Sequence, residues 1–189
     1  MKKIGILGGT FNPPHIGHLI IANEVGMAAG LDEVWFMPNQ EPPHKEKSAG
    51  AEDRDRLAML QLATKGNRLF KIQSIELERP GPSYTADTMD IIKKEYPKDQ
   101  FYFIIGADMV EYLPKWHRID ELLKKVTFIG VERPGYSMET EYEIMSVDVP
   151  EINISSSMVR SRLRKGETVN YLVPEEVVRY IRENQLYGP

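Results

Sequence analysis

The stretch Gly8-Gly9-Thr10-Phe11-Asn12-Pro13-Pro14-His15-Ile16-Gly17-His18 limits what this chain can fold into more than any other. It follows a short apolar run, Ile4 to Leu7, and leads into Leu19-Ile20-Ile21-Ala22-Asn23-Glu24-Val25-Gly26-Met27-Ala28, a segment with helical spacing. The order is strand, glycine-rich turn, helix start. Glycine has no Cβ, so the backbone of such a turn can approach a ligand closely. The free N–H groups and the dipole of a helix start favour an anion there. A glycine pair in this context reads as a phosphate cradle. An ordinary phosphate loop does not carry the pair His15-x-x-His18. Two imidazoles so spaced at a helix mouth can face one point and donate hydrogen bonds to charged oxygens. The plainer reading is a tight turn with two surface histidines, and the buried strand directly upstream weighs against it.

The stretch resembles the GxFxPxHxGH signature of the nucleotidyltransferase superfamily with a (T/H)xGH motif, here His15-Ile16-Gly17-His18. That superfamily moves a nucleotide monophosphate from ATP or CTP to an acceptor and releases pyrophosphate, with no covalent enzyme intermediate. The resemblance implies that Gly8, Gly9, Thr10 and Phe11 contact ATP, and that His15 and His18 bind the triphosphate and stabilise the transition state. Positioning and charge stabilisation are the effects such a site supplies.

Length and composition bound the rest. A chain of 189 residues suits one domain, 1–189, and 41% hydrophobic with 28% charged residues is the balance of a globular protein. A net charge of -4 gives no bulk basic character, so nucleic acid is not expected as a partner. The absence of cysteine excludes disulfides, thiolate nucleophiles and cysteine-type zinc clusters. Ile4 to Leu7 is too short for a signal peptide and no apolar stretch reaches membrane-spanning length, so no membrane association and a cytoplasmic location are expected. Assembly into a homo-oligomer is left open.

Strand–helix units recur along the chain: strands at 2–7, 33–38, 70–77, 100–105, 126–131 and 151–154, and helices at 18–30, 52–65, 85–95, 118–125, from about 155 to 165, and 174–185. Residues 136–150 read as irregular or weakly β. This predicts an α/β, Rossmann-like, doubly wound parallel sheet with helices on both faces and a small helical part at the C-terminal end. Ligands in such sheets lie outside the carboxyl ends of the strands, where the turn at 8–18 falls. The loop 39–50 follows the second strand and carries Lys45, a phosphate ligand or a solvated lysine on its own evidence; the family keeps a basic residue here. Gly106 and Asp108 end a strongly apolar strand, and Asp108 suits either a ribose hydroxyl or a helix cap. The family has a GxD element at this place that contributes to nucleotide binding. Arg133, at another strand end, faces the nucleotide or is a surface arginine.

Ile154-Ser155-Ser156-Ser157-Met158-Val159-Arg160 opens a helix. Its hydroxyls are plausible caps, and with the free N–H groups and Arg160 one turn on they also make an anion site. The segment is similar to the superfamily's second motif, ISSTxxR, with Ser157 where threonine is usual. Ser83-Tyr84-Thr85, followed by Thr88, resembles the SYTxxT segment of the bacterial nicotinate-mononucleotide adenylyltransferases, one branch of the superfamily. In that branch this turn meets the nicotinate end of the acceptor. A helix start can favour its carboxylate. Ser83 or Thr85 as a simple cap is the competing reading. Trp116 and His117 stand where the branch lines the nicotinate pocket, and Trp116 is the candidate to stack on the pyridine ring.

The resemblance implies ATP and nicotinate mononucleotide as substrates. It implies Mg2+ as cofactor, held mainly by the ATP phosphates because no all-protein metal cage is legible. Pantetheine-phosphate adenylyltransferase shares the first motif but lacks the SYTxxT and Trp-His elements. A cytidylyltransferase would use CTP, and a class I aminoacyl-tRNA synthetase needs a longer, more basic chain. A catalytically silent nucleotide-binding regulator is disfavoured by intact His15, His18 and Arg160.

Overall fold

The computed structural model describes residues 1–40, 51–79, 81–132 and 138–188. Six strands form one sheet in the order β3-β2-β1-β4-β5-β6, every neighbouring pair parallel. They are β1 (Lys3–Gly9), β2 (Glu33–Pro38), β3 (Phe70–Ile72), β4 (Gln100–Gly106), β5 (Val126–Val131) and β6 (Ile144–Val147). The helices are α1 (Ile16–Ala28), α2 (Asp53–Thr64), α3 (Thr85–Glu95), α4 (Ala107–Val110), α5 (Ile119–Leu122), α6 (Ser156–Arg164) and α7 (Glu175–Glu183), with a 3-10 turn at Leu113–Lys115. The chain winds from β1 outward to β3, returns beside β1 as β4, and winds outward again. Reversal of direction with right-handed crossovers puts helices on opposite faces. The crevice between β1 and β4 is the switch point where such sheets bind ligands.

Both faces are covered, so the central strands are apolar almost throughout rather than alternating. On one face, Ile4, Ile6, Phe101, Phe103 and Phe128 pack under α3, α4 and α5 through Met89, Ile92, Val110 and Leu122. On the other, Leu7, Phe36, Ile104 and Ile129 meet Ala22 and Val25 of α1 and Leu60 of α2. A third cluster joins Met59 of α2 to Val159 of α6 and to Val177, Val178 and Ile181 of α7. This is the C-terminal helical part, fastened to α2.

Three expectations from the sequence need correction. The third strand ends at Ile72, not at residue 77. Gln73 still donates to the Phe36 carbonyl (3.0 Å), but Leu77 already closes a turn on Ser74 (2.8 Å). The last strand is β6, within the segment read as irregular or weakly β, and 151–154 is not a strand. Ile152 and Ile154 are half-buried by packing, Ile154 against the third cluster, so apolar alternation there reflects side-chain burial without strand pairing. The short helix expected at 118–125 forms only over Ile119–Leu122. No helix among the described residues is long and apolar enough to cross a membrane.

Candidate active site

The turn after β1 is built by contacts from far along the chain. Phe11 takes a left-handed backbone (φ 48) and buries its ring, and the Asn12–Pro13 peptide bond is cis. Arg56 of α2, fully buried, donates from Nη1 to the Thr10 carbonyl (2.7 Å) and from Nη2 to Asp53 Oδ1 (2.7 Å). Arg160 donates from Nη1 to the Asn12 carbonyl (2.7 Å), and the Ser156 hydroxyl donates to the Pro13 carbonyl (2.8 Å). The Tyr187 hydroxyl bonds Asn12 Oδ1. The Asn39 N–H, just past β2, donates to the Gly9 carbonyl (3.0 Å). Charge-assisted bonds to carbonyls of this kind are among the stronger hydrogen bonds. The loop backbone is therefore held in one shape.

His15 caps α1 and is buried, while His18 is half-exposed one turn on. The His15 backbone N–H donates to Nδ1 of His18 (3.1 Å). A nitrogen that accepts carries no proton, so the neutral ring holds its hydrogen on Nε2. The two imidazoles stack with centroids 3.6 Å apart, and Phe11 meets His18 edge-on at 4.9 Å. The two histidines thus lie side by side. Gly17 lies beneath them: a Cβ there would come within 3.1 Å of His15 Cε1 and Nδ1. Gly9 is similarly tight against the Phe11 ring (3.1 Å).

The second motif comes to the same place. Ser155 caps α6, its Oγ accepting from the Met158 N–H (3.1 Å), and Ser157 Oγ accepts from Arg160 Nη2 (3.3 Å). A cleft of about 1520 Å³ is lined by His15, Gly17, His18, Ser155 and Ser156 together with Glu24, Glu132, Asp148 and Glu151. The starts of α1 and α6 open onto this one space. Arg160 uses two of its N–H donors on the protein, so it serves as a clamp on the loop as well as a candidate phosphate ligand.

The acceptor elements lie on the other face of the sheet. Gly8 bridges the two sides, since a Cβ on it would touch the Phe103 ring (3.4 Å), and Phe103 meets Trp116 edge-on at 5.8 Å. Trp116 is half-buried and also contacts Phe128 (5.8 Å). The His117 ring lies 4.4 Å from that of Tyr84, so the turns at 83–85 and 116–117 meet. Tyr84 is the N-cap of α3 and makes no side-chain cap, so neither Ser83 nor Thr85 fills the capping role that was the plainer reading. Arg118, in the left-handed region (φ 54), ties this corner together: Nη1 reaches Asp87 (2.8 Å) and Asp90 (3.0 Å) of α3, and Nη2 pairs with Glu121. Gly106 is the N-cap of α4, which puts Asp108 inside the first turn and not at the cap. Lys45 and Arg133 lie outside the described residues.

Four contributors were missed by motif reading: Arg56, Asn39, Glu76 and Arg118. Arg56 had a signal, because it shares a helical face with Met59 and Leu60, both fully buried. Glu76 is buried behind the 83–85 turn, and burial pushes its carboxyl above the usual range, against the hydrogen bond from Thr88, the charge of Arg79 and the Ser83 side chain. Among the described residues no group of three or more His, Asp or Glu side chains is placed to hold a metal ion.

Comparison with known proteins agrees with this geometry. The model of the cytidylyltransferase-like family matches residues 6–162. The probable nicotinate-nucleotide adenylyltransferase of Geobacillus thermodenitrificans is 59% identical over 188 residues, covering 100% of this chain and 87% of the relative. The nicotinate-nucleotide adenylyltransferase of Bacillus subtilis is 55% identical over 187 residues, 99% of each chain. Among solved structures, the nicotinic acid mononucleotide adenylyltransferase of Plasmodium falciparum complexed with NaAD aligns with a TM-score of 0.81 over 99% of this chain and 98% of its own, at 23% identity, a likeness of fold. A sheet wound about β1 and β4, two helix starts opening on one cleft, and identity of this level from end to end place the chain in the cytidylyltransferase-like family, among its nicotinate-nucleotide adenylyltransferases.

Proposed function

We propose that the chain transfers AMP from ATP to nicotinate mononucleotide, giving nicotinate adenine dinucleotide and pyrophosphate, a step of NAD biosynthesis. The observation that carries this is the convergence of the α1 and α6 starts on one cleft, fastened to each other through Ser156 on Pro13 and Arg160 on Asn12. Its lining mixes donors and helix N-termini at His15, His18, Ser155 and Ser156 with carboxylates at Glu24, Glu132, Asp148 and Glu151. A triphosphate is attracted by the former and repelled by the latter, so its phosphates belong against the histidines and the two helix starts.

In the reaction, a 5′-phosphate oxygen of the mononucleotide attacks the α-phosphorus of ATP. The bond from that phosphorus to the α,β-bridging oxygen breaks, and the electron pair leaves on pyrophosphate. The nucleophile is already an anion, so no general base is required. His18, with its Nδ1 held by the loop, directs Nε2–H as a fixed donor, and His15 stacks beside it. Preorganised donors of this kind act where charge develops. Mg2+, held mainly by the phosphates of ATP, would supply neutralisation of part of the triphosphate charge. On the opposite face, the start of α3 receives the nicotinate carboxylate and Trp116 the pyridine ring. Lys45, Gly106 and Asp108 belong to this reading as contacts that the family resemblance implies, and Arg133 as one that its place at a strand end suggests.

Pyrophosphate release with ATP and Mg2+ tests it, with nicotinate mononucleotide, nicotinamide mononucleotide and phosphopantetheine compared as acceptors. Strong preference for nicotinate mononucleotide is expected. Turnover of phosphopantetheine alone would leave the phosphate site standing and refute the acceptor site. No pyrophosphate with any acceptor would leave only a nucleotide-binding protein.

A further inference from the structure

The acceptor turn rests on a buried acid that lies in none of the motifs. Glu76, just beyond β3, is 4% exposed. Thr88 of α3, itself buried, lies with its Oγ1 2.8 Å from Glu76 Oε1 and 3.2 Å from the Tyr84 carbonyl. Arg79 donates from Nη1 to the same threonine oxygen (3.1 Å), and the Ser83 side chain faces the same carboxyl. Ser83, Tyr84 and Thr88 all belong to the Ser-Tyr-Thr-x-x-Thr segment, so one acid grips that segment from behind.

Two placements of a single proton satisfy these distances. With Glu76 ionised, Thr88 donates to it, and the Tyr84 carbonyl keeps the Thr88 backbone N–H (3.0 Å) as its donor. With Glu76 protonated, the acid donates to Thr88 Oγ1 and the threonine hydrogen turns to the Tyr84 carbonyl. Arg79 donates to Thr88 in both states. The acid therefore decides whether the N-cap of α3 receives a second hydrogen bond. The protonated state also puts no negative charge behind a turn proposed to receive a carboxylate, and burial favours that state. Arg79 is the charged side chain acting on the carboxyl, with Thr88 and Ser83 as its polar neighbours.

We infer that Glu76 is a positioning residue for the mononucleotide site, acting through Thr88 to hold the 83–85 turn and the start of α3 where they meet the acceptor. The inference rests on the acceptor site proposed above. It is tested by steady-state kinetics of the full-length enzyme and of Thr88→Val, Thr88→Ser and Glu76→Ala, varying nicotinate mononucleotide and ATP in turn. Thr88→Val removes the hydroxyl at nearly constant volume. Its KM for nicotinate mononucleotide is expected to rise about tenfold, the weight of one buried hydrogen bond, while the KM for ATP moves less than about twofold because the phosphate loop is untouched. Thr88→Ser should restore most of the loss. Glu76→Ala carries the same expectation as Thr88→Val and covers the case in which that variant does not fold. A parental KM for the mononucleotide in either variant overturns the inference. So does an equal rise in both KM values that serine does not rescue, which marks a purely structural role. A parent enzyme that does not turn over nicotinate mononucleotide at all would remove the proposed function itself, and this inference with it.

Discussion

Gly17→Ala separates site geometry from stability. Gly17 is the second residue of α1, and its missing Cβ is what lets the His15 ring lie against the helix. An added Cβ would sit 3.1 Å from both Cε1 and Nδ1 of His15. Carbon contacts are optimal at about 3.5–4.0 Å, so the ring must retreat by roughly 0.4 Å or more. It has little freedom to do so alone, because it already stacks on His18 at a centroid separation of 3.6 Å. The displacement therefore passes to the second imidazole. If an error of 1 Å costs about a hundredfold in rate, roughly 0.4 Å costs about sixfold to tenfold, or about 1.1–1.4 kcal/mol in the barrier. The backbone works the other way: alanine is favoured over glycine in a helix by about 1 kcal/mol. The expected variant melts at or above the parent temperature yet has a kcat lowered about sixfold to tenfold. Thermal melts and saturating pyrophosphate-release kinetics read the two effects separately. An unchanged kcat would refute the claim that the glycine positions the histidines, and loss of both properties would show a general packing failure instead.

Removing the donor outright should cost more: His18→Ala is expected to lower kcat by roughly a hundredfold or more with folding retained, and a parental kcat in a folded variant would end the assigned role. Trp116→Ala should chiefly raise the KM for the mononucleotide, measured by varying each substrate in turn; a rise confined to ATP would move the residue to the other subsite. Glu76→Gln addresses protonation without kinetics. A carboxyl whose value is raised on folding stabilises the protein below its unfolded value and loses that contribution as pH climbs through the folded one. Glutamine stays neutral, so the melting temperature of the variant relative to the parent should increase as pH rises from about 4.5, the ordinary glutamate value. A difference that is flat or falls with pH would contradict the buried-acid description.

The parts of the site that could be read in the sequence are those whose partners are close in the chain. The His15 and His18 pair needs only one helical turn, and Ser155 caps a helix three residues wide of its partner Met158. The sheet was legible for a similar reason, since strands buried on both faces, such as β4 and β5, are continuous apolar runs. What escaped depends on distance along the chain. Arg56 meets Thr10 across 46 residues; its place on the face of Met59 and Leu60 marks it as buried, but nothing local names its partner. Glu76 reads as a surface residue in a charged segment until α3 closes over it. The pair Ile152 and Ile154 has the alternation of a strand, yet both are half-buried by packing, Ile154 against the third cluster, and neither lies in a strand. Lys45 stays with the loop position and family resemblance that singled it out, and Arg133 with its place at a strand end.

The loop proposed to cradle the phosphates is made in the first twenty residues and locked by residues 156–187. Ser156 reaches back 143 residues to Pro13, Arg160 reaches 148 to Asn12, and Tyr187 reaches 175 to the same asparagine. On the ribosome, β1, β2 and β4 can assemble while those clamps are still unmade. A nascent or prematurely stopped chain would then own the whole His15 to His18 turn and still lack the shape that binds a triphosphate. Nucleotide affinity is thus expected to appear only once the segments carrying Ser156, Arg160 and Tyr187 have docked on the loop.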